Sequence, residues 1–195
     1  MTARVAARAA VRWLWGAAAL IVLVYVGAGV YLKINEKAFI YQPGERRVWP
    51  SARQFALHER AVTFPSSDGV TLSAWVVPAA EGRDSGMWLL ICHGNYGNIG
   101  YGQRPEFYAL MRDLGVNLFA FDYRGFGDST GTPAEPGLYA DATASYDYVT
   151  RTLGVPAGRL IVYGHSLGSG VAIELTSRVP AAALIVEGAY TSVVM

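Results

Sequence analysis

Short apolar runs alternating with helix-like stretches constrain this chain more than any other feature of its sequence. Residues 87–92, 116–121, 160–163 and 183–186 are brief, largely apolar and rich in β-formers. Continuous runs of this kind suit strands buried on both faces. Residues 105–114, 137–153 and 167–179 read as helices between them. The first stops at Gly115, and the second closes at Gly154 and Pro156. Leu138, Ala142, Tyr146 and Val149 fall on one face of the second. Strands and helices in alternation imply a parallel sheet. Upstream, residues 59–64 and 70–77 are strand-like and flank Ser67-Asp68-Gly69, a tight-turn signal, so they pair as an antiparallel hairpin. The expected class is α/β.

Two junctions of this pattern carry chemistry. Gly164-His165-Ser166-Leu167-Gly168 lies between a buried strand and a helix. A serine there projects from a strained turn as a nucleophile, and glycines two residues to either side remove side chains that would collide with strand and helix. The helix starting at Leu167 directs free N–H groups at the same point. His93-Gly94-Asn95-Tyr96-Gly97-Asn98 follows the first buried strand and supplies the second half of an oxyanion hole. The expected donors are the backbone N–H groups of Leu167 and Asn95, with His93, Gly94 and His165 as supporting residues. A plain glycine-rich turn is the bland alternative for either loop. Asp122 and Asp128, in Asp122-Tyr123-Arg124-Gly125-Phe126-Gly127-Asp128-Ser129, are expected to pin their loop through Arg124 and local N–H groups. Asp141, on a helix, is expected to be solvated or capping.

The N-terminus imposes a different constraint. Residues 13–32 contain no charge, and twenty helical residues span ~30 Å, the thickness of a bilayer's hydrocarbon core. Trp13, Trp15 and Tyr31 suit the two interfaces. A cleaved signal peptide with Arg4, Arg8 and Arg12 as its basic region is the rival reading. The expected organisation is a basic tail (1–12), a transmembrane helix (13–32), a connector (33–57) and a catalytic domain (58–195). Lys33, Lys37, Arg46 and Arg47 nearly balance the arginines before the helix, so topology rests on the short tail staying inside while the long domain crosses. A net charge of +1 speaks against a nucleic-acid partner. Cys92, the single cysteine, permits no internal disulfide and reads as a small buried residue.

In the order and spacing of these motifs the chain resembles the α/β-hydrolase superfamily. Within it, the chain is similar to membrane-anchored hydrolases of the abhydrolase-domain and serine aminopeptidase-like type. Asp68-Gly69-Val70-Thr71-Leu72 and Glu187-Gly188-Ala189-Tyr190-Thr191-Ser192 complete the matching set. The resemblance implies hydrolysis of an ester, thioester or amide of a small-molecule or acyl substrate by a Ser–Asp–His triad. It implies no metal and no cofactor. The chain departs from the pattern in one respect. Its histidines are His58, His93 and His165, and none of the 29 residues after Ser166 is a histidine. Such a domain takes its histidine from its last part. The expectation is therefore an N-terminal part of the domain, without acid or base and inactive alone, with an uncovered apolar edge near residues 183–186. Glu187 is a minor candidate for the acid. The alternative is a non-catalytic membrane-anchored binding or scaffold protein on part of the same fold.

Overall fold

A computed structural model describes residues 2–44 and 54–190. Arg46, Arg47 and Pro50-Ser51 of the expected connector, and Thr191-Ser192 of the last motif, lie outside the described residues. The chain divides into two units, Met1–Ile40 and Tyr41–Met195.

The first unit is one helix, α1 (Thr2–Ile40). It contains the expected span but overruns it at both ends, so the expected tail and the first eight connector residues are helical. Alanine and arginine upstream are good helix formers, and no proline intervenes before Pro43. Lys33 and Glu36 add an i,i+3 ion pair at 2.6 Å. The stretch Val11–Ile40 is exposed, reaches a mean hydropathy of 2.1 and is long and apolar enough to cross a membrane.

The second unit is built on a six-stranded sheet. Its strands are β1 (Arg60–Pro65), β2 (Thr71–Val77), β3 (Met87–Cys92), β4 (Val116–Phe121), β5 (Leu160–His165) and β6 (Ala183–Glu187). Their order is β1-β2-β4-β3-β5-β6. β1 and β2 form the antiparallel hairpin, β2 runs antiparallel to β4, and the remaining pairs are parallel. At the hairpin turn Ser66 N donates to Val70 O at 2.7 Å, and Gly69 supplies the positive φ (83°). Helices α2 (Arg104–Asp113), α3 (Glu135–Asp147) and α4 (Leu167–Thr176) follow β3, β4 and β5.

Strand alternation sorts the core into two layers. Leu90, Cys92, Phe119, Phe121 and Val162 face one cluster with Leu138, Ala142, Tyr146, Val171 and Ala172 of α3 and α4. Leu89, Ile91, Leu118 and Ala120 face the other, with Tyr108 of α2. Burial on both faces is why β3 reads as an unbroken apolar run and β4 as one interrupted only by Asn117, whose amide accepts from Ala79 N and donates to Asp84 Oδ1. Cys92 is buried, and burial pushes its thiol up to about 12.

Three expectations need correction. The helix expected over 137–153 begins at Glu135 and passes at Tyr148 into a π turn (Tyr148–Thr152). There Leu153 N reaches back five residues to Tyr148 O at 3.0 Å, and Gly154 (φ 73°) closes the turn. The run at β6 forms a strand that is not buried on both faces: every residue of it is exposed at the border of the described sheet, as the uncovered apolar edge expected near residues 183–186. Asp141 is neither solvated nor capping: it is fully buried. Arg124 donates from its backbone N–H to Asp141 Oδ2 at 2.8 Å and from Nη2 to Oδ1 at 2.8 Å. Its Nη1 donates to Asp68 Oδ2 in the hairpin turn at 2.6 Å. Arg124 thus ties hairpin, post-β4 loop and α3 together and does not pair with Asp122 or Asp128.

Candidate active site

Ser166 sits between the last residue of β5 and the first of α4, with φ 51° and ψ −118°. L-residues rarely occupy that region, and its presence at a strand-to-helix junction is the signature of a forced turn. The flanking glycines show what forces it. A Cβ on Gly164 would strike Gly168 O and approach Ala172 Cβ to 2.7 Å. A Cβ on Gly168 would strike Cys92 O and lie 2.7 Å from His93 O. Helix α4 therefore runs directly against the end of β3, which only glycine permits. Ser166 N donates to Glu187 O at 2.8 Å, and Ser166 O accepts from Ser169 N at 2.9 Å and Ser169 Oγ at 2.6 Å. The turn's backbone is fully engaged and the half-buried Ser166 side chain projects from it. Leu167 begins α4, so its N–H has no partner within the helix.

The loop after β3 comes up against this turn. A Cβ on Gly94 would lie 3.5 Å from Ser166 Cβ and 3.0 Å from His165 Nδ1. Gly94 is thereby brought against Ser166, with the exposed His165 ring beside Gly94; Leu167 and Asn95 are the chain neighbours of these two residues. His93 points the other way. It is buried between Tyr123 and Phe126, with ring centroids at 4.6 and 5.4 Å. Its Nδ1 meets Gly94 O at 2.7 Å, and its Nε2 lies 3.3 Å from Asp122 Oδ1, out of line for a hydrogen bond. Burial, reinforced by the Arg104 charge and opposed by Asp122, lowers the His93 pKa. His93 is thus a buried imidazole bonded to the loop backbone at Gly94. Asp122 pins the same loop by accepting from Ile99 N at 2.8 Å.

Two groups of this site escaped the sequence reading. Arg104 donates from Nη2 to Tyr96 O at 2.8 Å and to Gly94 O at 3.3 Å, and from Nη1 to Asn98 O. An arginine in a helix's first turn opposes the helix dipole, the one local hint that it serves something else. Tyr163 donates to Glu187 Oε2 at 2.5 Å, and burial together with that bond raises the phenol pKa. The Glu187 carboxylate is thus held by a tyrosine.

A cavity of about 410 Å³ adjoins the turn, lined by Gly94, Tyr96, Tyr101, Phe107, Tyr163 and His165 among others. Phe107 and Tyr163 stack on each other in its wall, with ring centroids 5.1 Å apart. Its size falls in the range of small-molecule pockets. A groove of about 530 Å³ between the end of β1 and α3 holds none of the motif residues. Among the described residues no cluster of His, Cys, Asp and Glu fits a metal ion.

A family model for the alpha/beta hydrolase fold matches residues 88–189, just over half the chain. The chain belongs to the α/β-hydrolase family. Its relatives support the abhydrolase-domain subgroup. An uncharacterised protein of Mycobacterium tuberculosis, Rv2307c, is 34% identical over 174 residues, which cover 89% of this chain and 60% of that protein. Protein bem46 of Schizosaccharomyces pombe is 31% identical over 84% of this chain and 56% of its own length. Lysophosphatidylserine lipase ABHD12 of Macaca fascicularis is 38% identical over 66% of this chain and 37% of its own length. The chain therefore spans well under two thirds of the curated relatives it matches. Among solved structures, the Pyrococcus furiosus esterase Pf2001 superposes with a TM-score of 0.62 at 22% identity, over 74% of this chain and 55% of that one. An alpha-beta hydrolase from Vibrio vulnificus gives 0.60 at 23% identity, over 71% and 50%. At such identities the structural likeness concerns the α/β-hydrolase fold alone.

Proposed function

We propose that this chain carries the nucleophile half of a membrane-anchored serine hydrolase. Ser166 Oγ attacks an acyl carbonyl, the N–H groups of Leu167 and Asn95 receive the oxyanion, and water then releases the acyl group. The observation that carries this reading is the forced conformation of Ser166, φ 51° at a glycine-flanked strand-to-helix turn, with Gly94 against its Cβ. The relative named a lipase supports an acyl ester as substrate. The cavity beside Gly94 and His165, whose wall joins Tyr96, Tyr101, Phe107 and Tyr163 to Arg104 and Glu187, supports an acyl or alcohol group with both apolar and polar parts. Helix α1 is the anchor, with the domain on the non-cytoplasmic side.

None of the three histidines is placed as the general base. His93 is buried and bound to Gly94 O, His58 precedes the sheet, and the His165 ring is exposed and lies against Gly94. A serine without a base is a weak nucleophile, and a site lacking one triad member retains only ~10³–10⁴-fold catalysis over water. The nucleophile half on its own is accordingly expected to be all but inactive in turnover.

A fluorophosphonate probe tests the reading. Slow labelling that disappears in Ser166→Ala is the expected result. Labelling that persists in Ser166→Ala removes Ser166 from its role, and a wild-type chain that never labels favours a non-catalytic binding protein.

A further inference from the structure

The first residues after the apolar helix are bonded to the loop of the candidate site. Gln42 N donates to Asn95 O at 2.9 Å, and Gly97 N donates to Gln42 O at 3.0 Å, forming a parallel bridge between Gln42 and Tyr96. Tyr41 packs against the core of the second unit. Gly44 has φ 64°, and a Cβ there would lie 3.3 Å from Gly97 Cα. The sequence encodes this contact: Pro43 biases Gln42 towards extended backbone, and glycine accepts the positive φ that turns the chain over the loop.

Peptide planarity makes the consequence geometric. A carbonyl and the following N–H point in opposite directions from one rigid plane. The plane carrying the Asn95 N–H is fixed through Gly94 O, which His93 Nδ1 and Arg104 hold. The next plane is fixed through Asn95 O, held by Gln42. The third is held on both sides, Tyr96 O by Arg104 and Gly97 N–H by Gln42. Gln42 thus holds the two planes that follow the donor's own, and together with His93 and Arg104 it fixes the backbone on both sides of Asn95.

We propose that residues 41–44 form a strap that sets the orientation of the oxyanion loop, with Gln42 as its positioning residue. This rests on the reading of Ser166 as nucleophile and Asn95 as donor. Donor alignment then depends on the chain segment that leaves the apolar helix, and not only on the domain's own loops.

The test uses the full chain in detergent micelles. Q42P removes the N–H given to Asn95 O, and G44V wedges a side chain against Gly97. Three quantities are read: the rate of fluorophosphonate labelling, amide hydrogen exchange across residues 94–98, and the melting temperature. The expected result is labelling slowed by about tenfold or more in both variants, the lower end of losing an oxyanion donor. Faster exchange at Gly97 accompanies it, with the melting temperature nearly unchanged. Q42A, which restores the N–H, regains labelling. A wild-type chain that labels together with a Q42P chain that labels equally fast overturns the strap alone. A wild-type chain that does not label overturns the nucleophile reading and the strap's role with it. Slowing that tracks a lowered melting temperature in both variants also overturns the strap, because the segment would then act only on stability.

Discussion

Ser166 is held where an L-residue is strained, at φ 51° and ψ −118°, and such a conformation costs on the order of 1–3 kcal/mol. Ser166→Gly is expected to return part of that cost and raise the melting temperature while abolishing probe labelling. Paired melts and labelling assays check it. Gly168→Ala works in the opposite direction, since its Cβ has Cys92 O and His93 O in its way. A loss of ~1–3 kcal/mol in urea unfolding is expected, the usual cost of forcing atoms into a packed site. His93 gives a pH dependence. Its folded pKa lies below the unfolded value of about 6.5, so its contribution to stability is present above that value and lost as pH falls through it towards the folded pKa. Urea titrations at several pH values should show stability declining below pH ~6.5. His93→Gln should flatten that decline.

At the scale of elements, the Arg124 pairings hold the hairpin to the sheet. Replacing Arg124 with Met leaves the fully buried Asp141 carboxylate without its cation, and ~3–5 kcal/mol of destabilisation is expected. The Arg124–Asp68 pair is half exposed, and Asp68→Asn should cost far less; chemical denaturation of the two variants separates them. These elements also show what a sequence can and cannot disclose. β3 and β4 were legible to the residue, because burial on both faces leaves a largely apolar run, broken only by Asn117, that follows a glycine in each case. The turn at Ser166 was legible because two glycines and a serine at fixed spacing have few other uses. Asp141 was not, since nothing local distinguishes a solvated helix carboxylate from one that meets an arginine 17 positions away. The clamp of Arg104 and the bond from Gln42 were hidden for the same reason: both end on backbone carbonyls, which every residue possesses. The passage of α3 into a π turn has no signature in the apolar spacing, which continues through Val149.

At the scale of the sheet, the two borders that the described residues form are defended unequally. β1 opens with Arg60 and closes with Pro65, a cation and a residue that cannot donate to a ladder. β6 presents Leu184, Ile185 and Val186 at 40–47% exposure, with a carboxylate only at its last position. An undefended border is a template for any extended chain that meets it. Since the opposite border repels such additions, two copies meeting through β6 consume each other's sticky side and stop, whereas a head-to-tail series would need β1 as acceptor. Light scattering of residues 41–195 should therefore reveal pairs rather than fibrils as concentration rises, and Ile185→Lys should return them to monomers.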